Sequence, residues 1–465
     1  MHRCIITPHK STKGIPVQNN LTSGSVFKNI LGFSLPYLLS YFLQTLYGMA
    51  DLFLIGRYGE VDGTTAVSIG SQVMHMLTVM IVGLAMGATV MIGQAVGAQN
   101  RAKANRYIGN TITLFAGAAA VLTLAMLSLS KGIVRLMSTP EAAQAGTGAY
   151  LRICFAGLPF IIAYNVISAI FRGMGDSKSP MYFIAAACAA NIGLDILFMG
   201  PLALGPAGAA LGTTLSQAFS VVLSLIVVVR RRMLPGLAAA HLRPQREYLG
   251  DMVKIGVPVA LQDGFIQVSF LAITVFANLR GLNDAAAVGI VEKIIGILFL
   301  VPSTMLSTVS ALAAQNIGAG KPQRAREVMR DAIFITAGVG LVLAGATQFC
   351  AVGLVGLFTE SDTVALMGSQ YLRSYVWDCL LAGIHFCISG YFCACGVSGY
   401  SFAHNAISIL CARLPLSWLA SRNFPGTLFP MGCAAPAGSL VSVLVCGVLL
   451  RILAKKQAAE DSKAA

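Results

Sequence analysis

The chain has 465 residues, 56% hydrophobic and only 11% charged, with a mean hydropathy of +0.76. Soluble domains carry about 25% charged residues, and a chain of this length cannot hide so much apolar surface in its own interior, so a soluble globular protein is excluded and lipid is the main solvent. The net charge of +14 would suit nucleic acid, but a membrane protein with basic loops accounts for it once the charges are placed.

The opening residues are polar, with His2, Arg3, Lys10, Lys13 and Pro16 and no apolar core for a cleaved leader, and read as a cytoplasmic tail over 1–27. Apolar stretches long enough to cross a bilayer follow near 28–53, 65–92, 107–129, 149–171, 180–200 and 206–229. A second set falls near 255–279, 285–312, 331–357, 372–395, 401–420 and 430–453. The chain is therefore read as an all-α polytopic membrane protein with about twelve transmembrane helices. Its parts are a first lobe at 28–229, a cytoplasmic linker at 230–254 with Arg230, Arg231, Arg232, Pro235 and Pro244, a second lobe at 255–453 and a cytoplasmic tail at 454–465.

The two halves repeat one another. Gln94-x-x-Gly97-Ala98 returns as Gln315-x-x-Gly318-Ala319, Tyr150-Leu151-Arg152 as Tyr371-Leu372-Arg373, and Gly175 as Gly396, each pair 221 residues apart. Six spans per half is an even number, so both copies start from the same side, and the lobes are related by a parallel pseudo-two-fold axis along the membrane normal. With the N-terminus inside, the inner segments hold 23 of the 32 Lys and Arg residues and the outer loops five, a bias that places both termini in the cytoplasm.

Charges inside spans are costly and persist where a task or a partner holds them. Asp51, Asp195, Asp263, Glu292, Lys293, Asp378 and Arg413 are the candidates. Asp51 maps near Ile273 and Asp195 near Leu416 in the second copy, so neither acid serves a shared scaffold. At ~1.5 Å per residue, Asp51, Asp195 and Thr213 all fall in the outer half of the first lobe. Asn191 and Asp195 are i and i+4 and share a helix face. Two carboxylates, an amide and a hydroxyl at one depth make an oxygen cage for Na⁺ or a proton-binding pair. The alternative is that each acid is neutral and tied to nearby backbone. Lys293 is expected to form a structural ion pair with an acid, and Asp263 and Arg413 either line a polar cavity or are paired. Pro36 and Pro258 match across the repeat and permit a helix kink. The eleven cysteines sit mostly in apolar runs, with no metal-type spacing apart from Cys393-x-Cys395, and read as core residues.

Met49-Ala50-Asp51-Leu52-Phe53-Leu54-Ile55-Gly56-Arg57, Gly93-Gln94-Ala95-Val96-Gly97-Ala98, Phe171-Arg172-Gly173-Met174-Gly175-Asp176-Ser177, Asn191-Ile192-Gly193-Leu194-Asp195 and Gln315-Asn316-Ile317-Gly318-Ala319-Gly320 together resemble the multidrug and toxic compound extrusion (MATE) transporters over nearly the whole chain. The resemblance implies a V-shaped pair of six-helix lobes and a cation-coupled exporter whose coupling site comprises Asp51, Asn191, Asp195 and Thr213, with Tyr47, Tyr150 and Asn165 as neighbours. Another branch of that family places carboxylates in the seventh and tenth spans, but here Asp263 lies towards the inner end of the seventh and Asp378 at the outer end of the tenth. The expected activity is export of cationic, amphipathic, drug-like compounds against H⁺ or Na⁺ by a monomer in the inner (plasma) membrane, with no cofactor, no ATP and no nucleic acid. A lipid-linked oligosaccharide or peptidoglycan-precursor flippase is the near alternative and would need a strongly cationic cavity. A polytopic enzyme is the distant one, and no nucleophile–base cluster or phosphate-binding loop supports it.

Overall fold

Long apolar runs closed by short polar turns give a chain that is helical nearly throughout. The computed structural model describes residues 21–231 and 236–464; residues 1–20 of the expected 1–27 tail, and Arg232 and Pro235 of the linker, lie outside the described residues. The first half contains α1 (Val26–Tyr58), α2 (Val61–Gly97), α3 (Arg101–Leu136), α4 (Glu141–Ala156), α5 (Leu158–Gly173), α6 (Lys178–Met199) and α7 (Gly205–Arg230). After a 3₁₀ turn at Ala239–Leu242, the second half contains α8 (Arg246–Asn278), α9 (Leu282–Leu298), α10 (Leu300–Gly318), α11 (Pro322–Gly356), α12 (Asp362–Tyr375), α13 (Asp378–Ala394), α14 (Ser398–Ser408), α15 (Leu414–Asn423) and α16 (Phe429–Ala464).

Among the described residues, ten helices are long and apolar enough to cross a membrane, α9 with α10 and α12 with α13 each counting as one. The pair α4 and α5, bent by 49° at Gly157, makes an eleventh. A side chain at Gly157 would meet the Thr214 methyl at 2.4 Å, so α7 packs into the bend, and Pro159 opens α5 where its missing N–H costs nothing. The remaining expected span, 401–420, is Ser398–Asn423, and it is not one regular helix. A π-helical turn at Ile409–Arg413 separates α14 from α15, with Pro415 removing a backbone donor just beyond it. α1 continues as one helix through Pro36, and the 49° bend between α4 and α5 lies at Gly157.

The repeat is visible in the packing. Gly175 and Gly396 both take left-handed backbone, at φ 90° and 74°, in the turns that follow α5 and α13. Thr89 Oγ1 donates to the Ala169 carbonyl at 3.1 Å, and Ser310 Oγ, 221 residues later, donates to Gly390 at 3.2 Å. The lobes meet in the half that holds the basic loops, called here the basic end. There α2 crosses α8 and α10 backbone to backbone: a side chain at Gly97 would lie 1.9 Å from the Gln315 carbonyl, and one at Gly318 lies 2.0 Å from that of Gln94. The segment before α1 straps across as well, with Lys321 Nζ donating to Thr22 at 2.8 Å and Arg324 to Ser23 and Gly24 at 2.9 Å.

Candidate cation-coupling site

One face of α1 carries Tyr37, Tyr41, Gln44, Tyr47 and Asp51, spaced three or four apart and therefore stacked in a stripe. Asp51 ends the stripe near the far end of the first lobe and is buried. Its Oδ2 accepts a 3.0 Å hydrogen bond from Thr213 Oγ1 of α7. Asn191 and Asp195, one turn apart on α6 and both fully buried, pack against the same carboxyl group. Gly212 makes the approach of α7 possible, since a side chain there would lie 1.9 Å from Asp195 Oδ1.

Unmet hydrogen-bonding capacity is concentrated in the cluster. Asp51 Oδ1, both carboxyl oxygens of Asp195 and both amide atoms of Asn191 are buried without a hydrogen-bond partner among the described residues. Neighbouring Thr214 Oγ1 and Gln217 Oε1 share that condition. Buried polar atoms are rarely left unpaired. Two ionised carboxylates only accept, so their contact is satisfied when one carries a proton or a cation lies between them. Carboxylate, amide and hydroxyl oxygens suit Na⁺ or a proton. Among the described residues no group of three or more His, Cys, Asp or Glu side chains is placed to hold a transition metal.

The other expected residues divide between three places. Tyr47 joins the first site, receiving a 3.5 Å hydrogen bond from Gln217 Nε2. Tyr150 is buried beside it, its ring lying where a side chain at Gly70 would intrude at 2.3 Å. Asn165 lies lower. It lines a small cavity with Tyr37, Ser40, Tyr41, Gln44 and Arg172, about 15 Å along α1 from Asp51. Asp263 lies on α8 against Gly83 of α2, at the contact between lobes, and forms no ion pair among the described residues.

Glu292, Asp378 and Arg413 gather in the second lobe. Arg413 Nη2 donates a short hydrogen bond to Tyr375 Oη, and its guanidinium stacks 5.0 Å from the Phe270 ring centre and 5.6 Å from that of Tyr375. Both acids lie within its field. Thr274 Oγ1 donates to Glu292 Oε2 at 3.1 Å. The ion pair expected of Lys293 is not formed: the side chain is exposed and no acid is in reach among the described residues. Adjacent helix positions point about 100° apart, so the acid beside it in sequence turns inward while the lysine turns out. Two features escaped the sequence reading. The tyrosine–glutamine stripe was legible in its spacing, and Arg172 was counted with the loops although α5 keeps it buried.

The MatE family model matches residues 36–197 and again 258–419, two copies displaced to within one residue of the spacing that the repeated motifs show. The chain belongs to the MatE family. Over 442 residues it is 28% identical to the "Probable multidrug resistance protein YoeA" of Bacillus subtilis, covering 93% of this chain and 95% of that one. It is 26% identical over 375 residues to the "Multidrug export protein MepA" of Staphylococcus aureus, covering 80% and 82%. A solved structure described as the outward-facing conformation of a multidrug resistance MATE family transporter superposes with a TM-score of 0.88 at 23% identity, covering 97% of this chain and all of that one. This MATE protein is thus a multi-pass membrane transporter with the two-lobed, internally repeated fold that its sequence implied.

Proposed function

We propose that this MATE transporter exports cationic, amphipathic organic compounds from the cytoplasm in exchange for H⁺ or Na⁺. Asp51, Asn191, Asp195 and Thr213 bind the inward-moving cation, and both chain termini lie in the cytoplasm. The observation that carries the reading is the group of buried, unpartnered oxygens around two adjoining carboxyl groups. The names of the relatives, both concerned with multidrug resistance or export, support the substrate class.

The cycle works by competition. While the cleft faces out, the ionised acids favour a bound organic cation. Uptake of H⁺ or Na⁺ cancels that charge and releases the compound. The lobes then rock to the other side, where the small cation leaves. Only ligands with different affinities for the two conformations can drive such a cycle. A pyrophosphate-carrying flippase would need several free cations in one cavity. Here Arg413 is engaged with Tyr375 and lies in the other lobe from Arg172, which disfavours that alternative.

The test is Asp195→Asn in reconstituted vesicles. Gradient-driven export should fall roughly tenfold or more while the protein inserts and still binds compound, the loss corresponding to ~1.4 kcal/mol of coupling. Export at the normal rate would sink the assignment. Imposing a Na⁺ gradient and a pH gradient separately identifies the ion.

A further inference from the structure

Arg172 closes α5 and is only 7% exposed. Its guanidinium stacks 4.9 Å from the Tyr37 ring centre, and no acidic side chain pairs with it among the described residues. Asp263 on α8, which faces the same Tyr41, makes no ion pair with it either. A buried arginine without a carboxylate is costly, and an aromatic face offsets that cost only in part. The guanidinium also lines the cavity bounded by Tyr37, Ser40, Tyr41, Gln44 and Asn165. Its planar fork of donors matches a carboxylate better than any other side chain does.

The position in the lobe gives this cavity a meaning. Tyr37 lies at the level of Arg172, and the stripe runs from it through Tyr41, Gln44 and Tyr47 to Asp51, a climb of ~21 Å on one helix face. The first lobe is therefore polarised along its length: a fixed positive charge at the bottom, aromatic rings between, and paired acids at the top. The bottom also touches the lobe contact, since Tyr37 Oη donates to Ser307 Oγ of α10 at 3.2 Å.

We propose that Arg172 is an anion subsite that binds the carboxylate of exported amphipathic zwitterions. The aromatic body of such a compound lies along the tyrosine stripe, and its amine points towards Asp51 and Asp195. This rests on reading the first lobe as the compound's path, but not on which ion drives the cycle.

The experiment is equilibrium binding to the purified full-length protein in detergent, read by fluorescence anisotropy with no ion gradient. The probes are a rhodamine dye carrying its free carboxylate and the methyl ester of the same dye. The carboxylate dye binds more tightly than the ester, and Arg172→Gln lowers the ratio of ester Kd to acid Kd about tenfold, the scale of one charge-assisted contact. Arg172→Lys keeps part of the preference. A ratio of one in the unaltered protein, or one that Arg172→Gln leaves unchanged, overturns the proposal. Should Arg172→Gln fail to fold, the first of these measurements and Arg172→Lys still decide it, because a carboxylate preference that Lys retains in full shows that the fork is not read. Equal loss of binding by both dyes in Arg172→Gln also overturns it, because the residue would then support the site as a whole and not the carboxylate. Failure of Asp195→Asn to uncouple transport leaves this ratio untouched.

Discussion

Gln94 and Gln315 hold the two lobes together reciprocally. Gln94 Nε2 donates to the Ala394 carbonyl of the second lobe at 2.8 Å, and Gln315 Nε2 donates to the Gly173 carbonyl of the first at 2.9 Å. Donors and acceptors alike are 221 residues apart, so the latch obeys the internal symmetry. It lies at the basic end and must open if that end is to become accessible. A net hydrogen bond contributes about 1 kcal/mol. Replacing both glutamines with alanine should therefore move the balance between conformations by about 2 kcal/mol, or roughly thirtyfold. Spin labels at Ala102 and Glu327, both exposed, in a background lacking reactive cysteines, should report a new longer distance. An unchanged distance distribution would mean that the backbone crossing alone keeps the end shut.

The close approach of α7 to α6 gives a sharper probe of the cation site than removing an acid. Gly212→Ala keeps both carboxyl groups and every charge, yet its methyl would lie 1.9 Å from Asp195 Oδ1 and must displace it. Coupled export should fall by roughly tenfold, as expected of Asp195→Asn, because a ligand displaced by an ångström no longer closes the cage. Gly193→Ala is the control, on the neighbouring helix with nothing within 4 Å. Equal activity of the two variants in vesicles would show that the position of Asp195 does not matter.

The broad fold was legible because it rests on two signals that need no side-chain detail: stretches long enough to cross lipid and a register that repeats. What failed to read were local choices. The segment at 401–420 reads as an ordinary span by apolarity, but Arg413 needs Tyr375 and two aromatic faces, and a π turn supplies the aim. Depth and adjacency set Lys293 beside Glu292 and Asp378, but neighbours on a helix diverge, and depth does not fix the face from which the lysine leaves. Depth along the spans brings Asp51, Asp195 and Thr213 together, and the i, i+4 spacing adds Asn191 to Asp195. Arg172 could not be placed in this way, since its burial depends on the restart of the helix at Pro159, and no count of charges locates that.

Arg413 occupies, in the repeat, the level at which the first lobe gathers Asn191 and Asp195. The second lobe thus carries a permanent cation among Glu292 and Asp378 where the first carries acids without one. Asp378 has both carboxyl oxygens unpartnered by hydrogen bonds among the described residues, so the arginine's charge is what that acid depends on, whereas Glu292 also has Thr274. Arg413→Met should destabilise the protein by about 3–5 kcal/mol, the usual cost of breaking a buried charge group by removing one member. Adding Glu292→Gln to that variant should return part of the loss, because the two sites share one interaction. Thermal unfolding in detergent measures both. Additive losses would show that the acid and the arginine are independent.

Arg280 fastens the far end of the second lobe. Its Nε donates to Asp284 Oδ2 at 2.6 Å with both side chains only 6–7% exposed. Its terminal nitrogens reach the carbonyls of Ser421, Pro425 and Thr427, each at 3.1 Å. One side chain therefore pins the turn between α15 and α16 onto the start of α9, using donors on three sides of a planar fork. Arg280→Ala leaves a buried carboxylate and three carbonyls unserved and should cost about 3–5 kcal/mol. Arg280→Lys keeps the charge but cannot reach all four acceptors, so it should recover only part of that. The strap lies in the other lobe from Asp51, so export by either variant at a temperature where it stays folded should match the unaltered protein. If the lysine variant unfolds at the temperature of the unaltered protein, charge alone holds the turn and the fork is incidental.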